Sequence, residues 1–222
     1  MKKTAIVFSF FLLMLMLTTF NPNNLNLGFQ FFKIKNIEVK NLEILEKKKI
    51  ENQFINELSG SSLFILNEKK IQKILNNNNF INYFKFKKIF PSKLQIMVYE
   101  KEAIAILNDK RKKYYLIKNG EKIEFFKNKN LEKLPNIFGK QENFLEIFSI
   151  LTKINFPIHK IKSFYYFDIG RWDILLKTKV VIKLPVKDFD ISLKNFMDLD
   201  KKINFEKYRI FDYRIKDQLI LR

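Results

Sequence analysis

The chain has 222 residues, and its 42 Lys and Arg against 23 Asp and Glu give a formal net charge of +19. Hydrophobic residues make up 47% of it, including 25 Phe, which is enough for packed cores and excludes a largely disordered chain. There are no cysteines, so packing rather than disulfides must hold the fold. Because the lysines are spread along the whole chain, the charge does not predict a nucleic-acid site, and we expect no nucleic-acid partner.

The N-terminus carries the longest apolar run. A head of three residues (1–3) with two lysines precedes a charge-free segment over residues 4–20. As a helix this segment would be about 25 Å long, close to the hydrocarbon thickness of a bilayer. It lacks the small residues of a signal-peptidase site. We predict an uncleaved transmembrane anchor at 4–20; a cleaved signal and a buried N-terminal helix are the alternatives.

The charges beside this segment predict its orientation. Lys2 and Lys3 lie on the short side, whereas the Asn-rich stretch 21–31 contains no charge. Positive charges near a span favour the cytoplasmic side. We expect a cytoplasmic N-terminus, a linker over 21–31, and the bulk of the chain in the periplasm.

Residues 32–101 have the pattern of one small α+β domain. The alternation at Ile37 and Val39 predicts a strand, and apolar spacings of three and four predict two helices. Asn67 is placed to cap the second helix. Two strands follow, joined by a turn at Phe90-Pro91-Ser92. The predicted order is β-α-α-β-β, with helices over 46–58 and 67–75 and strands over 82–89 and 93–99.

Residues 102–222 read as a mostly antiparallel β domain with two helices, so the whole chain is predicted to be α+β. Asn119-Gly120 is the strongest hairpin signal in the chain. We predict that Leu134–Gly139 is a loop. The predicted strands are 103–107, 114–118, 121–126, 161–167, 172–177, 180–184, 209–215 and 218–221, and the predicted helices are 141–154 and 190–202.

The chemistry-bearing residues do not form a recognisable catalytic pattern. His159 is the single histidine and fits an exposed turn before a strand. Without cysteines, a metal site would need clustered carboxylates, and the sequence offers none. We therefore predict no enzymatic activity, no cofactor or metal, and no small-molecule substrate. For Trp172 we favour core packing beneath the helix at 141–154 over a binding surface.

Several motifs follow one another along the chain: Phe90–Ile96 running into Val98–Lys101, Leu134-Pro135 with Gly139, the Arg171–Ile174 strand, and the Phe211–Arg214 segment. Their order is similar to that of the FtsQ/DivIB family of bacterial cell-division proteins. The first motif resembles the family's strand–turn–strand segment, residues 32–101 resemble its POTRA domain, and the other three motifs resemble those of its C-terminal domain.

This resemblance implies a non-catalytic scaffold of the divisome, anchored in the inner membrane at the division septum. It implies that the C-terminal region binds FtsB and FtsL, with FtsB adding a strand. One alternative is a POTRA-containing component of outer-membrane assembly or secretion, which would usually repeat the module. A membrane-tethered hydrolase of the cell wall is another.

The last two predicted strands are the candidate binding site. The final strand ends the sequence and could lie at a sheet edge, where unpaired N–H and C=O groups accept a partner strand. We predict that the backbone of Ile215–Leu221 pairs with the partner and that side chains at Ile215, Leu219 and Leu221 supply pockets. An edge blunted by Lys216, Asp217 and Arg222 is the alternative. The predicted partner-binding residues are Tyr213, Ile215, Asp217, Gln218, Leu219, Ile220 and Leu221.

Overall fold

The structure is a computed structural model that describes residues 2–18, 32–200 and 207–222. It divides into two compact units, Met1–Glu100 and Lys101–Arg222, which we describe separately. The predicted linker at 21–31, the last two residues of the predicted anchor (19–20) and the last two residues of the predicted helix at 190–202 lie outside the described residues.

The N-terminal helix α1 covers Lys2–Thr18. Its apolar side chains from Ile6 to Leu15 are exposed, which argues against the alternative of a buried N-terminal helix. In the ranges that the structure describes, no helix combines the length and apolar character needed to cross a membrane.

The first unit has the predicted β-α-α-β-β order. Its elements are β1 (Asn36–Lys40), α2 (Lys47–Leu58), α3 (Glu68–Leu75), β2 (Ile81–Ile89) and β3 (Lys93–Glu100). The three strands form a sheet in the order β1-β3-β2, in which β1 runs parallel to β3 and β2 antiparallel to it.

Local chemistry explains how this unit is held together. Asn67 caps α3 as predicted, because its Oδ1 accepts the Lys70 N–H at 3.1 Å. The Glu100 carboxylate accepts the N–H groups of three successive residues before α2, at 2.7 to 2.9 Å. The core lies between the helices and one face of the sheet and includes Val39, Ile50, Phe54, Ile71, Leu94, Ile96 and Val98.

The second unit is built on a nine-stranded sheet. In chain order its elements are β4 (Ala103–Asp109), β5 (Lys112–Ile117), β6 (Lys122–Glu124), β7 (Asn136–Phe138), α4 (Gln141–Lys153), a 3₁₀ turn (Ile158–Lys160), β8 (Ile161–Phe167), β9 (Arg171–Leu176), β10 (Val181–Lys183), α5 (Phe189–Asp200), β11 (Ile210–Asp212) and β12 (Ile220–Leu221). The strand order is β12-β11-β10-β9-β8-β7-β4-β5-β6. Five of its eight pairings are antiparallel, so the mostly antiparallel prediction is confirmed.

One segment predicted as a loop is a central strand. Residues Asn136–Phe138 form β7, which pairs in parallel with both β4 and β8. The alternation signal fails here because the strand is only three residues long and is flanked by Pro135 and Gly139. Gly139 has φ +155°, and a Cβ there would overlap the Cβ of Tyr166. A glycine is therefore required at this position for two reasons: the backbone comes close to Tyr166 on β8, and its φ is one that other residues rarely adopt.

A single register row runs across the sheet on its core face. Ile137, Phe164, Ile174, Ile182 and Phe211 are direct neighbours on successive strands, and all are fully buried. Side chains of α4 and α5 belong to the same core. Trp172 is also buried there, with its ring 6.3 Å from that of Phe144 on α4, which agrees with the predicted core position.

Candidate partner-binding edge

The last strand, β12, lies at one edge of the nine-stranded sheet. It pairs with β11 on one side only, with Leu221 opposite Phe211 and Ile220 opposite Asp212. Among the described residues no strand pairs with its other side. The edge position that the sequence predicted for the end of the chain is therefore present in the fold.

The hydrogen bonds of β12 show which backbone groups point away from the sheet. Arg222 and Ile210 exchange two bonds, with Ile210 N donating to the Arg222 carbonyl at 2.8 Å and Arg222 N donating to the Ile210 carbonyl at 3.1 Å. Successive residues of an antiparallel strand alternate between inward and outward backbone groups. The N–H and C=O of Leu221 therefore face outward.

Two of the side chains predicted to supply pockets for a partner lie against the core. Leu219 and Leu221 pack there, partly buried, and their role as pockets stays a prediction. Leu221 directs its backbone groups away from the sheet, while its side chain lies on the same face as that of its neighbour Phe211. The outward backbone groups of Leu221 are therefore open to a second chain.

Tyr213 is placed in the core. It is 7% exposed, its phenol donates to Asn195 Oδ1 at 3.0 Å, and its own N–H donates to the Lys183 carbonyl. Burial raises the pKa of this phenol. The side chain thus supports β11 from within rather than standing at the edge.

The segment between the last two strands is a turn, which corrects the predicted strand boundaries. The strand expected over 209–215 ends at Asp212, and the one expected over 218–221 begins at Ile220. Gln218 N donates to the Ile215 carbonyl at 3.2 Å, and Asp217 has φ +58°, a left-handed conformation that suits a turn. Ile215 is 52% exposed on this turn.

A row of three charged side chains crosses the opposite face of the sheet, and its next neighbour on β12 is Ile220. Asp173, Lys183, Asp212 and Ile220 are direct neighbours on successive strands β9 to β12. Asp212 is 4% exposed, and Arg214 binds it with two charge-assisted hydrogen bonds of 2.8 and 2.6 Å. These bonds hold the pKa of the Asp212 carboxyl below its usual value.

The other acid of this row is less well paired. Asp173 is 8% exposed, and its Oδ1 lies 3.2 Å from Arg171 Nε without the alignment of a hydrogen bond. Burial raises the pKa of Asp173, and it outweighs the opposing attraction of Arg171, Lys183 and Arg214. The face of the sheet next to the edge therefore combines two buried acids with three basic groups.

These charged residues were not among the predicted site residues. Arg171 with Asp173 and Asp212 with Arg214 are each separated by two positions, so each pair lies on one face of its strand. That spacing is the signal in the sequence. It could not show that the two strands stand on either side of β10, since strand order depends on long-range pairing.

Other candidate chemistry remains dispersed. His159 is exposed in the 3₁₀ turn before β8, as predicted. Within the described ranges there is no group of three or more His, Cys, Asp or Glu side chains placed to hold a metal ion.

Two family models match the chain in tandem. The model described as POTRA domain, FtsQ-type, matches residues 32–101, and the model described as Cell division protein FtsQ/DivIB, C-terminal, matches residues 105–214. Together they span both units.

Curated relatives carry the same names. Cell division protein FtsQ of Rickettsia bellii (strain RML369-C) is 29% identical over 194 residues, covering 84% of this chain and 71% of that protein. Cell division protein DivIB of Clostridium botulinum (strain Hall) is 30% identical over 198 residues, covering 89% of this chain and 70% of that protein. The solved extracytoplasmic domain of DivIB from Geobacillus stearothermophilus aligns with 48% of this chain and 99% of its own, at 14% identity and a TM-score of 0.34. On the sequence matches, the chain belongs to the FtsQ/DivIB family of bacterial cell-division proteins.

Proposed function

We propose that this protein is a non-catalytic scaffold of the divisome that captures a partner polypeptide by adding a strand to β12. The single observation that carries the proposal is the open side of β12, where Leu221 directs its N–H and C=O groups away from the sheet. A partner strand would satisfy these groups and extend the sheet by one strand.

The construction of the edge supports this reading. Leu219 and Leu221 are fixed by core packing, so the outward backbone groups are held in place before a partner arrives. Preorganisation lowers the entropy lost on binding. Pairing at this edge would be short, because β12 has two residues. Further contacts beyond the strand are therefore needed for affinity.

Charge at the edge favours an acidic partner segment. Lys216 and Arg222 are exposed on either side of the outward groups, and Asp217 is the acid between them. Exposed charges of this kind affect the association rate and the register of the paired strands more than they affect affinity. The same basic side chains would disfavour pairing of this edge with a second copy of the chain, because the chain has a net positive charge.

The N-terminal segment supplies the membrane attachment in this proposal. Residues 4–20 carry no charge, and the apolar side chains from Ile6 to Leu15 are exposed on α1. With Lys2 and Lys3 on the short side, the head would be cytoplasmic and the two folded units periplasmic. The family resemblance implies FtsB and FtsL as the partners and the septal inner membrane as the location.

A proline at the outward position tests strand addition. Leu221→Pro removes an N–H that β11 does not use, and edge strands tolerate proline where the N–H faces solvent. Leu221→Ala is the matched control, because it loses the same packing and keeps the N–H. We expect Leu221→Pro to weaken binding of the host FtsB periplasmic segment by at least about tenfold, and Leu221→Ala to stay near the parent value.

The titration is made with the full chain in detergent, by calorimetry or anisotropy of a labelled FtsB segment. Thermal unfolding of both variants serves as the folding control. Equal affinities for the proline and alanine variants, with both folded, would reject strand addition at β12.

A further inference from the structure

The first unit carries a second exposed surface, which is apolar and stands beside the point where the chain enters from residues 19–31. The loop after α2 buries Leu63 and Leu66 but leaves Phe64 66% exposed and Ile65 56% exposed. The turn between β2 and β3 adds Phe90, which is 51% exposed. Large apolar side chains grouped on a surface indicate a contact with another apolar phase.

Phe32 joins these side chains into one cluster. Its ring lies 5.3 Å from that of Phe90 in an edge-on arrangement and 6.4 Å from that of Phe64. Its carbonyl accepts the Leu63 N–H at 2.8 Å, and Lys33 forms an isolated bridge with Ser62. We name Phe32, Phe64, Ile65 and Phe90 the apolar tip. The tip is thus fixed to the first described residues after the linker.

Basic residues surround the tip. Lys33 and Lys35 are exposed in the segment before β1, and Lys35 N donates to the carbonyl of Ser92, two residues after Phe90. Lys88 Nζ donates to the Phe64 carbonyl at 3.3 Å. An apolar surface bordered by lysines is the arrangement of segments that lie at a membrane surface, where the apolar part enters the headgroup boundary and the lysines meet anionic lipid.

We propose that the apolar tip docks on the surface of the bilayer that anchors the chain, with Lys33, Lys35 and Lys88 binding anionic headgroups. This inference rests on the anchor in the proposed function. Residues 19–31 can extend to at most about 45 Å, so the tip cannot move far from the end of the apolar segment. A lipid surface is therefore always within reach. Docking would fix the first unit against the membrane.

A spin label placed at the tip tests the docking directly. The chain has no cysteines, so Ile65→Cys provides a unique attachment site. The full chain is reconstituted in phosphatidylglycerol or in phosphatidylcholine nanodiscs, and relaxation by oxygen and by a water-soluble nickel chelate reports the depth of the label. Ile55→Cys is the control, since Ile55 is an exposed apolar residue of the same unit outside the tip.

We expect the label at position 65 in phosphatidylglycerol to shift from nickel-accessible to oxygen-accessible, and the label at position 55 to remain in water. Replacing Lys33, Lys35 and Lys88 with Gln should reverse the shift. The same replacement at Lys47, Lys48 and Lys49, which removes equal charge from the same unit, should leave it unchanged.

The outcomes separate this inference from the proposal it rests on. A chain that resists alkaline extraction but keeps the label at position 65 in water overturns docking and leaves the anchored scaffold intact. A label that becomes immobile yet inaccessible to both reagents shows a protein contact and also overturns docking. A chain extracted by alkali contradicts the anchor, and the tip inference fails with it.

Discussion

Replacing Gly139 with Ala should break the fold at β7, the strand that connects the two halves of the nine-stranded sheet. The φ of +155° at Gly139 lies in a region that is almost restricted to glycine and costs other residues about 1–3 kcal/mol. The new methyl group would also overlap the Cβ of Tyr166 on β8, which must move with its backbone. Overpacking of this kind adds about 1–3 kcal/mol. We therefore expect the free energy of unfolding to fall by about 2–6 kcal/mol, the sum of the two contributions.

Gly170→Ala is the control, because it measures the cost of placing a side chain at a positive φ without the overlap. Gly170 also has a positive φ, +83°, but the nearest atom to an added Cβ is Val186 Cγ1 at 3.4 Å, an ordinary contact distance. We expect Gly170→Ala to lower the free energy of unfolding by about 1 kcal/mol. Urea unfolding of the full chain in detergent, followed by Trp172 fluorescence, compares the two variants. If Gly139→Ala cost no more than Gly170→Ala, the close approach of β7 to β8 would be refuted.

Two further changes test local features of the second unit. Lys179 has φ +70° in the turn between β9 and β10, so Lys179→Gly should raise the free energy of unfolding by about 0.5–1 kcal/mol in the same urea assay, and a decrease would contradict a strained turn. Asp212→Asn should cost about 1–2 kcal/mol at neutral pH, because it removes a charged acceptor of Arg214, whose side chain is 40% exposed. Since the pKa of Asp212 is lowered on folding, its contribution is present above the unfolded pKa near 3.8 and is lost as the pH falls through the folded pKa. The difference in the free energy of unfolding between the parent and Asp212→Asn should therefore disappear in acid. A difference that stays constant with pH would rule out the ion pair with Arg214 as its source.

The sequence was most informative where a pattern repeats within one element. The cap at Asn67 and the alternation at Ile37 and Val39 are local signals, and the structure agrees with both of them. β7 was missed because three residues between Pro135 and Gly139 are too few to show a period of two.

The candidate site depends on information that no local pattern contains. The sequence predicted that the chain ends in a strand at an edge, but it could not show that Leu219 and Leu221 turn their side chains inward. That orientation is fixed by register with Phe211 on β11. The sequence likewise could not predict that Asp173 and Asp212 lie in one row across β10, because that row depends on the order of the strands in the sheet.

Amide hydrogen exchange at Leu221, in the free chain and with the host FtsB segment bound, tests strand addition most directly. Glu124 on β6, at the opposite edge of the same sheet, provides an internal reference, because by alternation from the Lys113–Phe125 bond its N–H also faces outward. The account predicts that binding slows exchange at Leu221 and leaves Glu124 unchanged. Unaltered exchange at Leu221 in a saturated complex would contradict the central claim that the partner pairs with this edge.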